Sequence, residues 1–248
     1  MKGLPVEYQD DDIVVVNKPA GLLSLPDRFD TTLPNVRALL EAHFGAIFIV
    51  HRLDRDTSGV MIAARTAEAH RSLNDQFEHH TVDKRYHAIV SGIVEQDSLK
   101  IDIPIMSDPR RKGLMKPSAR GKEALTEITV LERFRLATLL ECKLITGRTH
   151  QIRVHCSAVG HPLLVDPDYG TSSELMVSAL KRKYNLKKGT VERPIISRLT
   201  LHARSLGCTH PTTGKQVLFT SDYPKDFSSA LQVLRKYAAP YVSSFRWE

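Results

Sequence analysis

The chain has 248 residues, with 35 Lys and Arg against 28 Asp and Glu, so it carries a formal charge of +7. A hydrophobic share of 42% and a charged share of 25% exclude a disordered or collagen-like chain. No apolar run approaches the roughly 20 residues that span a bilayer, and the N-terminus reaches Glu7 without the apolar stretch of a signal peptide.

In chain order, Tyr8 to Lys18 reads as a hairpin. Asp10-Asp11-Asp12 forms its turn, and Ile13 to Val16 is a β-branched run suited to a buried strand. Asn17-Lys18-Pro19-Ala20-Gly21 ends that strand, because Pro and Gly interrupt regular structure. The spacing of Leu33, Val36, Leu39 and Leu40 predicts a helix over 32–44. Ile47 to Val50 leads into His51-Arg52-Leu53-Asp54, and a strand is expected over 59–64. Residues 66–79 are predicted helical, with Thr66 as N-cap and Glu68 in the first turn.

Strands are expected over 86–90, ending at Gly92, and over 127–133 and 137–144. A helix over 149–159 ends near Gly160. Strands over 199–206 and 217–220 flank a Pro211-Thr212-Thr213-Gly214 turn, and a helix over 223–237 closes the pattern. Strands and helices mix without steady βαβ alternation, which predicts an α+β fold with a central mixed, mostly antiparallel sheet flanked by helices. No linker divides the chain, so 1–240 is expected to be one domain and 241–248 a tail. Cys142, Cys156 and Cys208 are odd in number and form no C-x-x-C pair. They are expected to be small core residues in a reducing compartment, not a disulfide framework or zinc site.

Positive charge is concentrated in two stretches. Residues 109–122 hold six basic side chains and no acid, with the Gly and Pro content of a loop. Residues 181–193 hold six basic side chains and one acid, and follow a helical pattern over Glu174 to Leu180. Either stretch could hold phosphates by Coulomb attraction and counterion release, or could simply be solvated surface.

The densest chemistry lies in His51-Arg52-Leu53-Asp54-Arg55-Asp56-Thr57-Ser58-Gly59. So much charge beside an apolar run is costly unless the groups pair, which marks either a structural ion-pair network or a site on a loop held by two strands. A metal held by Asp54, Asp56 and His51 is disfavoured, because Arg52 and Arg55 already counter both carboxylates. An aspartyl-phosphate phosphatase would use Asp-x-Asp after a strand, but Thr57 follows Asp56 directly, where Asp-x-Asp-x-Thr is required. The third reading is a single carboxylate acting as nucleophile or base, positioned by arginine. A second segment, Leu144 to His155, places Arg148 in a Gly-Arg-Thr turn at the mouth of a helix, where it could hold a carboxylate ionised. His150 and His155 lie about 140° apart on a helix, a poor arrangement for a shared metal.

Taken together, these blocks resemble the RluA family of RNA pseudouridine synthases. The resemblance runs over roughly 6–227 and rests on five blocks in order: Asn17-Lys18-Pro19-Ala20-Gly21; His51-Arg52-Leu53-Asp54 with Thr57-Ser58-Gly59; Lys84-Arg85-Tyr86 with Ala88, Val90 and Gly92; Thr146 to Arg153 with Gly160-His161-Pro162; and Leu201-His202-Ala203 with His210-Pro211. The resemblance implies isomerisation of uridine within ribosomal or transfer RNA, with no external cofactor and no metal, because substrate and product are isomers. It implies that Asp54 is the essential aspartate, attacking C1′ or removing the C2′ proton, that Arg148 pairs with it, and that Tyr86 stacks on the target base, with a possible part in proton loss at C5. Arg52 would fill the gap left by the flipped nucleotide, and His51 would orient the loop. Asp56 matches no required position. Lys18, Arg110, Arg111, Lys112, Lys181, Arg182 and Lys183 are then expected to contact RNA. Many relatives carry an N-terminal RNA-binding domain of the S4 type. Here the catalytic blocks begin within the first twenty residues, so target choice is expected to rest on the catalytic domain. The protein is expected to be a cytoplasmic monomer acting on an RNA stem-loop. A catalytically dead RNA-binding relative is the rival from another class.

Overall fold

A computed structural model describes residues 3–181, 184–185 and 189–239. Among the described residues, twelve strands and four helices form two compact units, each assembled from separated stretches of chain. Among the described residues, the first unit comprises 3–87, 143–147 and 201–224, and the second 88–142, 148–200 and 225–239.

The first unit opens with the expected hairpin, β1 (Val6–Gln9) and β2 (Ile13–Lys18), closed by Asp10, whose carboxylate accepts from the backbone N–H groups of Asp12 and Ile13. Helix α1 spans Val36–Phe44, starting four residues later than the apolar spacing suggests. Pro34 disfavours helical geometry before it, and the Asn35 side chain caps the helix by accepting from Ala38 N. Strands β3 (Phe48–Ile49) and β4 (Ser58–Ala64) follow, then α2 (Ala67–Glu78), capped by Thr66 as expected. Strand β5 (Asp83–Ser91) starts in this unit, and β11 (Leu201–Thr209) and β12 (Gln216–Thr220) complete it. β2 pairs antiparallel with β4, while β4 and β11 run parallel, with His202 opposite Ser58 and Ala203 opposite Gly59. Backbone contact there is so close that a Cβ on Gly59 would lie 2.2 Å from Ala203 O. Every residue of β4 is buried, and its Val60 and Ile62 share the core with Val14, Val15 and Leu73.

The second unit takes β6 (Ser98–Asp102), β7 (Ile105–Ser107), β8 (Met115–Pro117), β9 (Leu125–Arg133) and most of β10 (Ala137–Leu144), with helices α3 (Gln151–Ala158) and α4 (Lys225–Tyr237). β6 and β9 pair antiparallel. The first basic stretch is a hairpin rather than an open loop: β7 and β8 pair antiparallel and expose Arg110, Arg111 and Lys112 at its turn. The helical pattern over 174–180 gives turns instead. Leu175 N donates to Ile196 O at 2.9 Å and Leu175 O accepts from Ile195 N at 2.8 Å, and that pairing holds the segment out of a helix. Helix α3 starts two residues later than expected, at Gln151, because His150 takes left-handed geometry (φ 54°).

The α+β class with mixed sheet pairing is as the sequence pattern predicts. Cys142, Cys156 and Cys208 are buried free thiols, as expected of core residues. Among the described residues no helix is long and apolar enough to cross a membrane. Arg182, Lys183 and residues 241–248 lie outside the described residues.

Candidate active site

The loop between β3 and β4 carries Asp54, and the surrounding chain holds it at several points. Thr57 N donates to Asp54 O at 3.1 Å, closing a turn around the carboxylate-bearing residue. One position earlier, Leu53 is 5% exposed and plugs into the core. The buried hydroxyl of Ser24 donates to Leu53 O at 2.8 Å and accepts from Leu53 N at 3.1 Å. One position later, Arg55 O accepts from Gly21 N at 2.9 Å, and Arg55 Nε donates to Gly21 O at 3.3 Å.

Lys18 corrects an expectation. Its side chain is fully buried, and its ammonium donates to Leu22 O at 2.7 Å, Arg55 O at 2.9 Å and Pro19 O at 3.0 Å. A lysine enclosed by backbone carbonyls is a clamp on the loop, not a surface contact for RNA. Charge-assisted bonds of this kind are the stronger class of hydrogen bond, and here they join the turn after β2 to the residue following Asp54.

His51 accepts from Ile62 N through Nε2 at 3.1 Å and stacks on Phe77 at 4.8 Å between centroids. Burial, aided by the Lys84 cation, pulls its pKa down to about 3, so the ring stays neutral and acts as an orienting group. Ser58 and His202 join β4 to β11 through a 3.0 Å contact. His202 Nε2 lies 3.1 Å from Ser221 O and donates to it, leaving Nδ1 to accept from the serine.

Tyr86, on β5, is half-buried beside Asp54. Burial and then the negative charge of Asp54 push its phenol pKa well above the ordinary value, so the ring is protonated at neutral pH. Lys84, two residues before it, is 8% exposed, and its ammonium lies 5.9 Å from the Phe77 ring centroid. Burial lowers its pKa. The sequence motif contains Lys84 but suggests no task for it, and Ser24 carries no sequence signal at all. Arg52 is exposed on the same loop, as is Asp56.

In the second unit, Arg148 precedes α3 and is held by β9 and the segment before it. Its Nε donates to Glu123 O at 2.9 Å, and its N–H donates to Gln151 Oε1 at 2.9 Å. Gln151 is itself fixed by Leu125 O and Thr126 Oγ1, both 3.0 Å from its Nε2. The basic hairpin is tied to the same region, with Arg111 Nη2 donating to Asp168 O at 2.9 Å and Met115 N to Tyr169 OH at 2.7 Å. Lys181 is exposed and lies 5.6 Å from the Tyr237 ring centroid.

Residues 12–158, which contain Asp54, Tyr86 and Arg148, match the family model described as RNA pseudouridylate synthase. The chain belongs to the RNA pseudouridylate synthase family. It is 38% identical over 242 residues to an uncharacterized RNA pseudouridine synthase of Bacillus subtilis, covering 94% of this chain and 73% of that protein. It is also 38% identical over 245 residues to the ribosomal large subunit pseudouridine synthase D of Nitrosomonas europaea, covering 97% of this chain and 68% of that one. Among solved structures, the human RNA pseudouridylate synthase domain containing 4 superimposes with a TM-score of 0.69 at 26% identity, with 93% of each chain covered. The protein is thus an RNA pseudouridine synthase, an isomerase acting on RNA.

Proposed function

We propose that the protein isomerises specific uridines in a structured RNA stem-loop, ribosomal or transfer, with Asp54 as the nucleophile or base acting on a flipped-out nucleotide. The observation that carries this reading is the Asp54 turn, clamped on both sides by Ser24, Gly21 and Lys18, with the Tyr86 phenol close enough to feel its charge. Ribosomal RNA is favoured because several relatives are named for the ribosomal large subunit. Residues 1–240 would act as one catalytic domain, built from the two units, in a cytoplasmic monomer.

The chemistry follows from the residues. The N1–C1′ bond breaks, the base rotates, C5 bonds to C1′, the C5 proton is lost to solvent, and N1 takes up a proton, so the product is an isomer of the substrate. Asp54 would attack C1′ or take the C2′ proton, either of which requires a carboxylate beside the sugar. A phenol held protonated suits Tyr86 as a ring surface and hydrogen-bond donor for the base rather than as a base in its own right. Arg148, its Nε committed to Glu123 O, would offer its Nη groups to Asp54. Arg52 would enter the stack vacated by the uridine.

The test is release of tritium from 5-tritiated uridine in RNA, with pseudouridine mapping of total RNA to locate the target. Asp54→Asn should abolish release while RNA affinity stays within a few-fold, and Asp56→Asn should keep substantial activity. An active Asp54→Asn protein beside an inactive Asp56→Asn protein would overturn the assignment.

A further inference from the structure

Between β2 and α1 the chain forms a closed loop whose base sits on the Asp54 turn. Its two ends meet where Leu23 bridges Asn35, with Val36 N donating to Leu23 O at 2.8 Å. Ser24, the first residue inside, is the one that holds both main-chain groups of Leu53. The projecting part is ordered by its own side chains. Asp27 Oδ1 accepts from Phe29 N at 2.8 Å and Asp30 N at 3.1 Å, and Asp30 Oδ1 accepts from Thr32 N at 3.0 Å. Asp27 is also within electrostatic reach of Arg55, the residue after Asp54. On this pinned turn Phe29 stands 91% exposed.

A phenylalanine so exposed gains nothing for the fold. The loop's other exposed large hydrophobic is Leu25, 37% exposed, and along the chain Phe29 is flanked by Arg28 and Asp30. That is far too little apolar surface for a protein interface. It is enough for one flat ring. An enzyme that takes a nucleotide out of its stack leaves the adjoining bases with exposed faces, and aromatic side chains are the usual receivers of unstacked RNA bases.

We propose that Phe29 is a stacking platform for an unpaired base of the substrate RNA flanking the target uridine. The proposal rests on the RNA pseudouridine synthase reading and names a recognition contact outside the Asp54, Tyr86 and Arg148 set. The carboxylates of Asp27 and Asp30 are spent on the loop's own N–H groups and would not draw in phosphate, so the ring makes the contact by its face. The contribution of Phe29 to affinity is then independent of salt.

The test uses fluorescence anisotropy with two probes: a stem-loop RNA with an all-uridine loop, and its counterpart with abasic riboses on both sides of the central uridine. The wild-type protein should bind the first more tightly by about 5- to 150-fold, the range for one base–aromatic stack. Phe29→Ala should lose that preference with an unchanged salt slope, and Phe29→Trp should restore it. The proposal is overturned if Phe29→Ala keeps the wild-type ratio, if its salt slope falls, or if the wild type shows no preference. It is equally overturned if sedimentation shows Phe29→Ala breaking up an oligomer, since the ring would then be a contact between copies. Tritium release by the wild type on total RNA is measured alongside. Its absence would count against the enzyme reading itself, whereas an active wild type with an unchanged Phe29→Ala ratio would refute only the platform.

Discussion

Ser24→Ala isolates the clamp on the Asp54 turn. The substitution removes one hydroxyl and leaves the N–H and C=O of Leu53 without the partner they share, at a residue only 5% exposed. An unsatisfied buried main-chain group costs about 1–3 kcal/mol. With some relaxation of the loop toward water, the two groups together should cost about 2–4 kcal/mol. For a chain of this length that corresponds to a melting temperature lower by roughly 5–15 °C. Urea titration followed by circular dichroism would give the stability change directly, and amide exchange at Leu53 should accelerate. Because Leu53 precedes Asp54, turnover should fall by about 10- to 100-fold, the scale of a misplacement approaching 1 Å. A variant within about 0.5 kcal/mol of the wild type, with Leu53 exchange unaltered, would refute the reasoning: the turn would then be held without the serine.

Other outcomes follow from the same geometry. His51 has its pKa pulled from 6.5 to about 3 by burial. As pH falls below about 6.5 the unfolded chain binds a proton that the folded chain refuses, so stability should drop progressively toward pH 3. His51→Gln should flatten that part of the urea midpoint profile, and an equally steep profile in the variant would show that other groups set it. Neutralising Arg110, Arg111 and Lys112 to glutamine should raise KM and reduce the salt slope of RNA binding by roughly 0.7–0.9 for each phosphate no longer neutralised, with turnover at saturation little changed. Neutralising Lys181, Arg182 and Lys183 tests the second stretch in the same way, and unchanged slopes in both would make these runs ordinary solvated surface. Among the described residues no group of three His, Cys, Asp or Glu could hold a metal. Because substrate and product are isomers and the chemistry needs no Lewis acid, turnover on a short prefolded stem-loop should survive EDTA, and loss restored by added zinc or magnesium would contradict this.

What the sequence reveals follows how local each signal is. The β-branched run 13–16 and the Thr66 cap depend on neighbours a few residues away, and both elements stand as read. The 174–180 segment carries a helical spacing, yet its backbone is claimed by Ile196, about twenty positions on, which no short window contains. The Asp54 turn is legible because charge crowded against an apolar run needs a reason. Lys18 misleads for the opposite cause. A lysine at the end of a strand looks like surface, and only the meeting of residues 19, 22 and 55 around its ammonium shows that it is interior. Phe29 gives no sequence signal because one aromatic in a polar loop has no period to detect.

The parallel pairing of β4 with β11 also bears on how the protein is made. Ser58 and His202, which join the two strands, are 144 residues apart in the chain. At synthesis rates of about 5–20 residues per second, the Asp54 turn would leave the ribosome roughly 7–30 seconds before its neighbouring strand. During that interval β4, buried at every position in the finished protein, offers the part of its edge at Ser58 and Gly59, which β3 does not cover, to whatever is nearby. Its other edge can be covered early by β2, which is already made. Nascent chains stalled between residues 65 and 200 should accordingly bind chaperones, and release should coincide with the emergence of β11.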